Sequence, residues 1–246
     1  MKPVLEFHDL TLGYDRHPAV HHLDGVVDIG SLTAIVGPNG SGKSTLMKGI
    51  VGILRPLGGR IVRDGLRATD IAYLPQISEI DRSFPASVFD LVSLGLWGKR
   101  GMLSRFTHDD RHAIHHALEA VGLAGFEPRG IETLSGGQLQ RALFARVLLQ
   151  DARVILLDEP FNAIDTRTVH DLIGVIRRWH GESRTVLAVL HDLDLVREHF
   201  PRTLLLAREL VAWGETRETL RAENLMRARQ MNMAADDHAP WCEEAA

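Results

Sequence analysis

A single cysteine, Cys242, stands among 246 residues. It cannot form an intrachain disulfide, so the fold has to rest on its core, and a reducing compartment is its natural home. Aromatic residues are sparse, at 6%. Long apolar runs are missing as well: residues 154–157 and 185–190 fall far short of the length needed to cross a bilayer. The opening residues, MKPVLEFHDL, contain no apolar signal core, which gives the expectation of a chain not secreted by the standard route. There is no excess of basic charge: 28 Lys and Arg stand against 32 Asp and Glu, a net of −4. Bulk charge therefore does not hold this chain on nucleic acid or anionic lipid. Internal repeats and low-complexity runs are absent too. What remains is an ordinary globular composition, 45% hydrophobic and 24% charged, long enough to bury a core without staples.

Patterning along the chain is mixed. Residues 3–12, 20–29 and 32–36 read as strands, the last a short apolar run between Gly30 and Gly37. A helical pattern covers 43–54, with Leu46, Ile50 and Leu54 on one face. Gly58 and Gly59 read as a turn, and 61–63 and 71–74 as further strands. From about 84 to 133 helices dominate, at 87–96 and 107–121. Thr107 with Asp110 forms a capping box, Gly122 is a C-cap, and Gly95, Gly98 and Gly101 mark an intervening loop. Beyond it, helices at 136–149 and 167–179 alternate with buried strands at 154–157 and 185–190, and a hairpin joins 203–206 to 211–213. Alternation of apolar strands with helices predicts a parallel sheet covered on both faces. The expected organisation is 1–83, an inserted helical subdomain at 84–133, a second core part at 134–233, and a polar tail at 234–246.

Three motifs carry chemistry. Gly37-Pro-Asn-Gly-Ser-Gly-Lys-Ser44 fills every fixed place of the phosphate-loop pattern and lies between a strand and a helix. Its glycines let backbone N–H groups curl around phosphate oxygens, and the helix start adds a favourable field. Lys43 then reaches the β- and γ-phosphates, and Ser44 offers its hydroxyl to Mg²⁺. Second, the apolar run 154–157 ends in Asp158-Glu159. Ligands of open α/β sheets sit off the carboxyl ends of strands, which suits Asp158 to holding Mg²⁺ and Glu159 to polarising water. Third, Leu134-Ser135-Gly136-Gly137-Gln138 opens a helix. Physics alone makes it a helix start able to bind phosphate, and a simple cap accounts for it equally well.

With these motifs in place, the chain resembles the nucleotide-binding subunit of an ABC (ATP-binding cassette) transporter over about residues 4–213. Tyr14 in LGY is similar to the aromatic that stacks on adenine. Gly37, Pro38, Asn39, Gly40, Ser41, Gly42, Lys43, Ser44 and Thr45 match the Walker A loop, and Gln76 in YLPQ the Q-loop glutamine. LSGGQ matches the signature sequence, VILLDEP the Walker B strand with its catalytic Glu159, Asp165 in FNAID the D-loop, and His191 in VLHD the switch histidine. Asn162-Ala-Ile departs slightly from the D-loop's common Ser-Ala-Leu. The resemblance implies a P-loop NTPase (RecA-like) core of α/β class, with an N-terminal antiparallel β subdomain and an inserted α-helical subdomain. It implies ATP with Mg²⁺, the metal held by Ser44, Gln76 and Asp158, and Lys43, Gln76, Glu159 and His191 as catalytic residues.

The resemblance also implies partners. Two copies pack head to tail, so that Ser135, Gly136 and Gly137 meet the γ-phosphate bound by the other copy. A polytopic permease lies at the membrane, a solute-binding protein acts indirectly, and no nucleic acid is involved. The expected place is peripheral, on the cytoplasmic face of the plasma membrane. The stretch after Gln76, together with EPFNAID, is most similar to the zinc/manganese importer subfamily, with ferric siderophore, haem or cobalamin import as the alternative within transport. Phe84, Val88 and Phe89 are candidates for the permease-facing surface. A soluble ABC ATPase is a second alternative. A degenerate nucleotide sensor is a third, against which the intact Lys43, Gln76, Asp158, Glu159 and His191 count. Other features are plainer. His108, His112, His115 and His116 include metal-ligand spacing on one helix, which a solvated face explains equally well. His17, His21 and His22 read as surface residues, and Met226, Met231 and Met233 as tail.

Overall fold

The computed structural model describes residues 2–15, 17–101, 105–162 and 164–237, with side chains up to residue 232. Cys242 and the last part of the expected tail lie outside the described residues. The chain divides into two compact units, one of residues 1–66 with 185–246, the other of 67–184.

The first unit holds two β arrangements. β1 (Pro3–Tyr14) pairs antiparallel with β2 (His17–Asp28) and with β4 (Gly58–Arg63), giving the order β2-β1-β4. Its register sets Phe7 opposite Ile61, and Leu5, Phe7, Leu10 and Leu12 are buried. β3 (Leu32–Val36) runs parallel to both β7 (Thr185–Val189) and β8 (Arg202–Ala207), with Ala34 opposite Ala188 on one side and Thr203 on the other. All five residues of β3 are buried, as a central strand covered on both faces requires. β9 (Glu209–Glu215) returns antiparallel to β8 through Arg208, whose φ is 63°.

α1 (Lys43–Val51) follows β3 and buries Leu46, Met47 and Ile50, each worth about 1.5–3 kcal/mol against exposure. It stops three residues short of the expected end because Gly52 turns left-handed, at φ 91°, and its N–H closes on the carbonyls of Lys48 and Gly49. Gly58 and Gly59 are not a free turn: they open β4, where Gly58 pairs with Thr11. α7 (Leu193–His199), α8 (Thr216–Thr219) and α9 (Ala222–Asp237) had no counterpart among the elements expected from the sequence. α9 takes up Met226 and Met231, and with them the beginning of the expected tail.

In the second unit β5 (Ile71–Leu74) runs parallel to β6 (Val154–Asp158), with Ala72 opposite Ile155. α2 (Val88–Ser93), α3 (Trp97–Arg100) and α4 (His108–Ala120) precede the central helix α5 (Gly136–Gln150). α4 begins as expected: Thr107 accepts from the Asp110 N–H, and the Asp110 carboxylate accepts from the Thr107 N–H at 2.8 Å. α5 buries Leu139, Leu143, Phe144 and Val147, and Phe144 stacks at 5.7 Å on Trp179 of α6 (Thr166–Gly181). The buried Arg146 guanidinium donates to the Tyr73 carbonyl at 2.7 Å, and burial lowers its pKa. Gly95 and Gly98 do not mark a loop. Gly95 lies in a buried 3-10 turn, where a Cβ would stand 2.5 Å from the Arg146 carbonyl oxygen, so it serves close packing against α5.

Candidate functional site

In the first unit, the chain leaves β3 at Val36 and enters α1 at Lys43. Between them the Lys43 ammonium donates to the Gly37 carbonyl at 3.0 Å and the Pro38 carbonyl at 2.7 Å. Gly42 takes φ 90°, and a Cβ there would meet the Ala19 carbonyl oxygen at 2.4 Å, so only glycine fits. Gly40, at φ 76°, has open space where a Cβ would point. Among the described residues no side chain caps α1, and its first turn carries no acid. Such a start leaves backbone N–H groups and the positive end of the helix dipole for an anion. The glycine-lined cradle, the uncapped helix and Ser44 thus fit a nucleotide phosphate with its divalent cation.

His191 follows β7 and is exposed. With Gly37, Pro38 and Leu205 it lines a cavity of about 200 Å³. The neighbouring Asp192 is structural, since its carboxylate accepts from the N–H groups of Asp194 and Leu195 and caps α7. Tyr14 ends β1 and is 48% exposed, and His21 and its neighbours also lie at this end of β2.

In the second unit, Asp158 ends β6 and is fully buried. The Tyr73 hydroxyl donates to its Oδ2 at 3.3 Å. Glu159 follows at φ 48°, a left-handed conformation that costs a non-glycine residue about 1–3 kcal/mol. Asn162 Nδ2 donates to Glu159 Oε2 at 3.2 Å. Sequence reasoning assigned neither Tyr73 nor Asn162, although both lie inside quoted motifs. Gln76 is half-buried and opens a 3-10 turn at Ile77–Glu79.

The signature residues form a complete capping box. Ser135 Oγ accepts from the Gln138 N–H at 3.2 Å, and Gln138 Oε1 accepts from the Ser135 N–H at 3.0 Å. The Arg82 guanidinium donates to the Leu134 carbonyl. Asp165 caps α6 by accepting from the Thr168 N–H and hydroxyl, and these bonds hold its carboxyl below the usual range. Gly137 lies close to it: a Cβ there would be 3.5 Å from Asp165 Oδ2. Within its own unit, each half of the motif set is therefore gathered on strand ends and helix starts.

The remaining sequence candidates divide. Phe84 is 63% exposed and Trp97 47% exposed, and both line an apolar groove of about 600 Å³ with Leu91, Leu94 and Phe106. Val88 is fully buried and belongs to the interior of the lobe, because it faces inward from the first turn of α2. Phe89 packs edge-on against Phe106 at 5.5 Å. On α4, His108 and His112 stand 4.5 Å apart, and His115 pairs with Glu127 at 2.8 Å. Among the described residues no three metal-ligating groups converge, and these histidines form a solvated face.

A family model described as ABC transporter matches residues 20–162. The manganese transport system ATP-binding protein MntA of Synechocystis sp. is 41% identical, covering 84% of this chain and 82% of that protein. The zinc transport system ATP-binding protein TroB of Treponema pallidum is 38% identical, covering 89% of this chain and 84% of that protein. Among solved structures, a metal-chelate type ABC transporter in an inward-facing conformation is similar at a TM-score of 0.82 and 30% identity. That match covers 94% of this chain and 90% of the other.

Proposed function

Because this chain belongs to the ABC transporter family, we propose that it is the ATP-hydrolysing subunit of an importer that carries a divalent metal ion, zinc or manganese, through a separate permease. The observation that carries the ATPase part is the uncapped, glycine-cradled start of α1 beside Lys43. The metal class rests on the relatives, whose own names are those of manganese and zinc systems.

The bound nucleotide with Mg²⁺ supplies the phosphoryl group and the divalent charge. Lys43 and the N–H groups of the loop would hold phosphate oxygens, and Ser44 would offer its hydroxyl to the cation, with Asp158 and Gln76 as the further residues that would hold it. Tyr14 stacks on the base. Glu159 takes the proton of the attacking water, and His191 steadies the γ-phosphate. Such sites work chiefly by positioning and charge stabilisation, so loss of a single holder is severe. Ser135, Gly136, Gly137 and Gln138 act toward the nucleotide of a second copy packed head to tail, and Asp165 stands at that same face.

Among the described residues no helix is long and apolar enough to cross a membrane. In this reading transport runs through a polytopic partner, with this subunit peripheral on the cytoplasmic face. The groove beside Phe84 and Trp97 is the docking surface for a short apolar segment of that partner, since both rings stay exposed. Phe84→Ser should leave ATP binding intact and lower ATPase activity coupled to transport in membranes. Equal loss in the isolated subunit would place Phe84 in the fold instead. Uptake of radiolabelled zinc and manganese by cells carrying Lys43→Ala tests the whole reading. Loss of either uptake is expected. Normal uptake of both, with ferric siderophore uptake lost, would overturn the metal class.

A further inference from the structure

The carbonyls of the phosphate loop are held by side-chain donors in succession. Gly37 and Pro38 accept from Lys43, while Asn39 accepts from Asn232 Nδ2 at 3.3 Å. Asn232 lies on α9, 193 residues further along the chain. An ammonium has three donors, and each one turned to a phosphate oxygen is withdrawn from the loop. Asn232 holds Asn39 with a donor of its own, separate from those of Lys43.

Asn224 ties the start of α9 to the Thr219 carbonyl at 3.1 Å, but among its described side chains the helix buries little apolar surface. Ala228 is 2% exposed and Leu225 is half-buried, but Met226 is 61% exposed. Its narrow inner face closes the 200 Å³ cavity lined by Gly37, Pro38 and His191, with Arg229 also on the wall. A helix with so little buried apolar surface belongs to the low-stability end of a fold and responds to small changes in its contacts.

We propose that Asn232 is a positioning residue for the phosphate loop, and that α9 thereby couples the chain's C-terminal helix to nucleotide binding. This rests on the loop being the ATP site. Asn232→Asp keeps the size of the side chain and replaces the donor by an acceptor facing the Asn39 carbonyl. Mg-ATP binding to the full chain, followed with a fluorescent ATP analogue and by competition with ATP, should weaken about threefold to tenfold, as loss of one hydrogen bond to the loop implies. Asn232→Gln, which keeps the donor, should restore most of the affinity. The melting temperature without nucleotide should fall by no more than about 2–4 °C in Asn232→Asp, the worth of one hydrogen bond, and by less in Asn232→Gln. In the wild-type chain, amide exchange along α9 should slow on addition of Mg-ATP. Wild-type affinity in Asn232→Asp, or α9 exchange that ignores Mg-ATP, overturns the proposal alone. Failure of the wild-type chain to bind Mg-ATP overturns it together with the reading of the loop.

Discussion

Two helix starts in this molecule are built from the same kinds of residue and finished in opposite ways. α1 begins after Gly40-Ser41-Gly42 with no side-chain cap among the described residues, and the Lys43 side chain folds back onto loop carbonyls. α5 begins at Ser135-Gly136-Gly137-Gln138 with both ends of a capping box closed. An uncapped start suits an anion, because among the described residues no N-cap side chain closes on its N–H groups. A capped start is already satisfied, and it turns to a phosphate only when one is brought to it. The difference matches the division of labour proposed for the two sites, one binding the nucleotide and the other completing it from a second copy.

The largest expected effect lies at the uncapped start. Lys43→Ala should abolish hydrolysis and weaken ATP binding, measured by phosphate release and by nucleotide titration; near-normal turnover would remove the loop from the mechanism. Next, Glu159→Gln should keep binding while slowing hydrolysis by roughly 10²–10⁴-fold, the worth of a general base. Size exclusion with Mg-ATP should then show a trapped dimer, and normal hydrolysis would make Glu159 structural.

At the capped start, Ser135→Ala should lower hydrolysis by about 10²-fold, as loss of one oriented donor does elsewhere. It should also remove about 1 kcal/mol of cap, lowering the melting temperature by roughly 2–4 °C. Thr107→Ala supplies the control, because it removes an equivalent capping box from α4. The same thermal loss with unchanged hydrolysis is expected, and parallel losses in both variants would reduce the signature serine to a cap.

The smallest effect is electrostatic. Arg67 donates to Asp70 at 3.0 Å and 3.2 Å and holds that carboxyl at about 2, against an ordinary 3.8. A depressed carboxyl contributes stability that is whole above 3.8 and is lost as pH falls through about 2. Asp70→Asn should therefore flatten the acid limb of the stability curve in that window: its small loss of stability is present at neutral pH and vanishes below about pH 2, as thermal melts across pH would show. The Arg67 side chain lies out in solvent, where such bonds are weak.

What the sequence discloses and what it hides follow from burial. β3, β6 and β7 are covered on both faces and read as short apolar runs, so their places could be taken directly from residues 32–36, 154–157 and 185–190. The phosphate-loop motif and the Asp158-Glu159 pair sit on the expected strand-to-helix turn and strand end because their local sequence demands that geometry. α7 and α9 were hidden for a different reason. α7 is seven residues long, and α9 buries only Ala228 fully among its described side chains, so neither carries a periodic apolar stripe. Gly95 misled because glycine signals both turns and close packing, and only the Arg146 carbonyl beside it decides which. Tyr73 on Asp158 and Asn162 on Glu159 are contacts that adjacency in a motif suggests but does not specify.

The contrast between the two helix starts comes down to Mg-ATP binding by dilute, monomeric protein, titrated side by side for the wild type, Lys43→Ala and Ser135→Ala. If the uncapped start of α1 alone binds the nucleotide, Ser135→Ala should match the wild-type affinity while Lys43→Ala loses it. A loss in Ser135→Ala as large as that in Lys43→Ala would contradict the distinction.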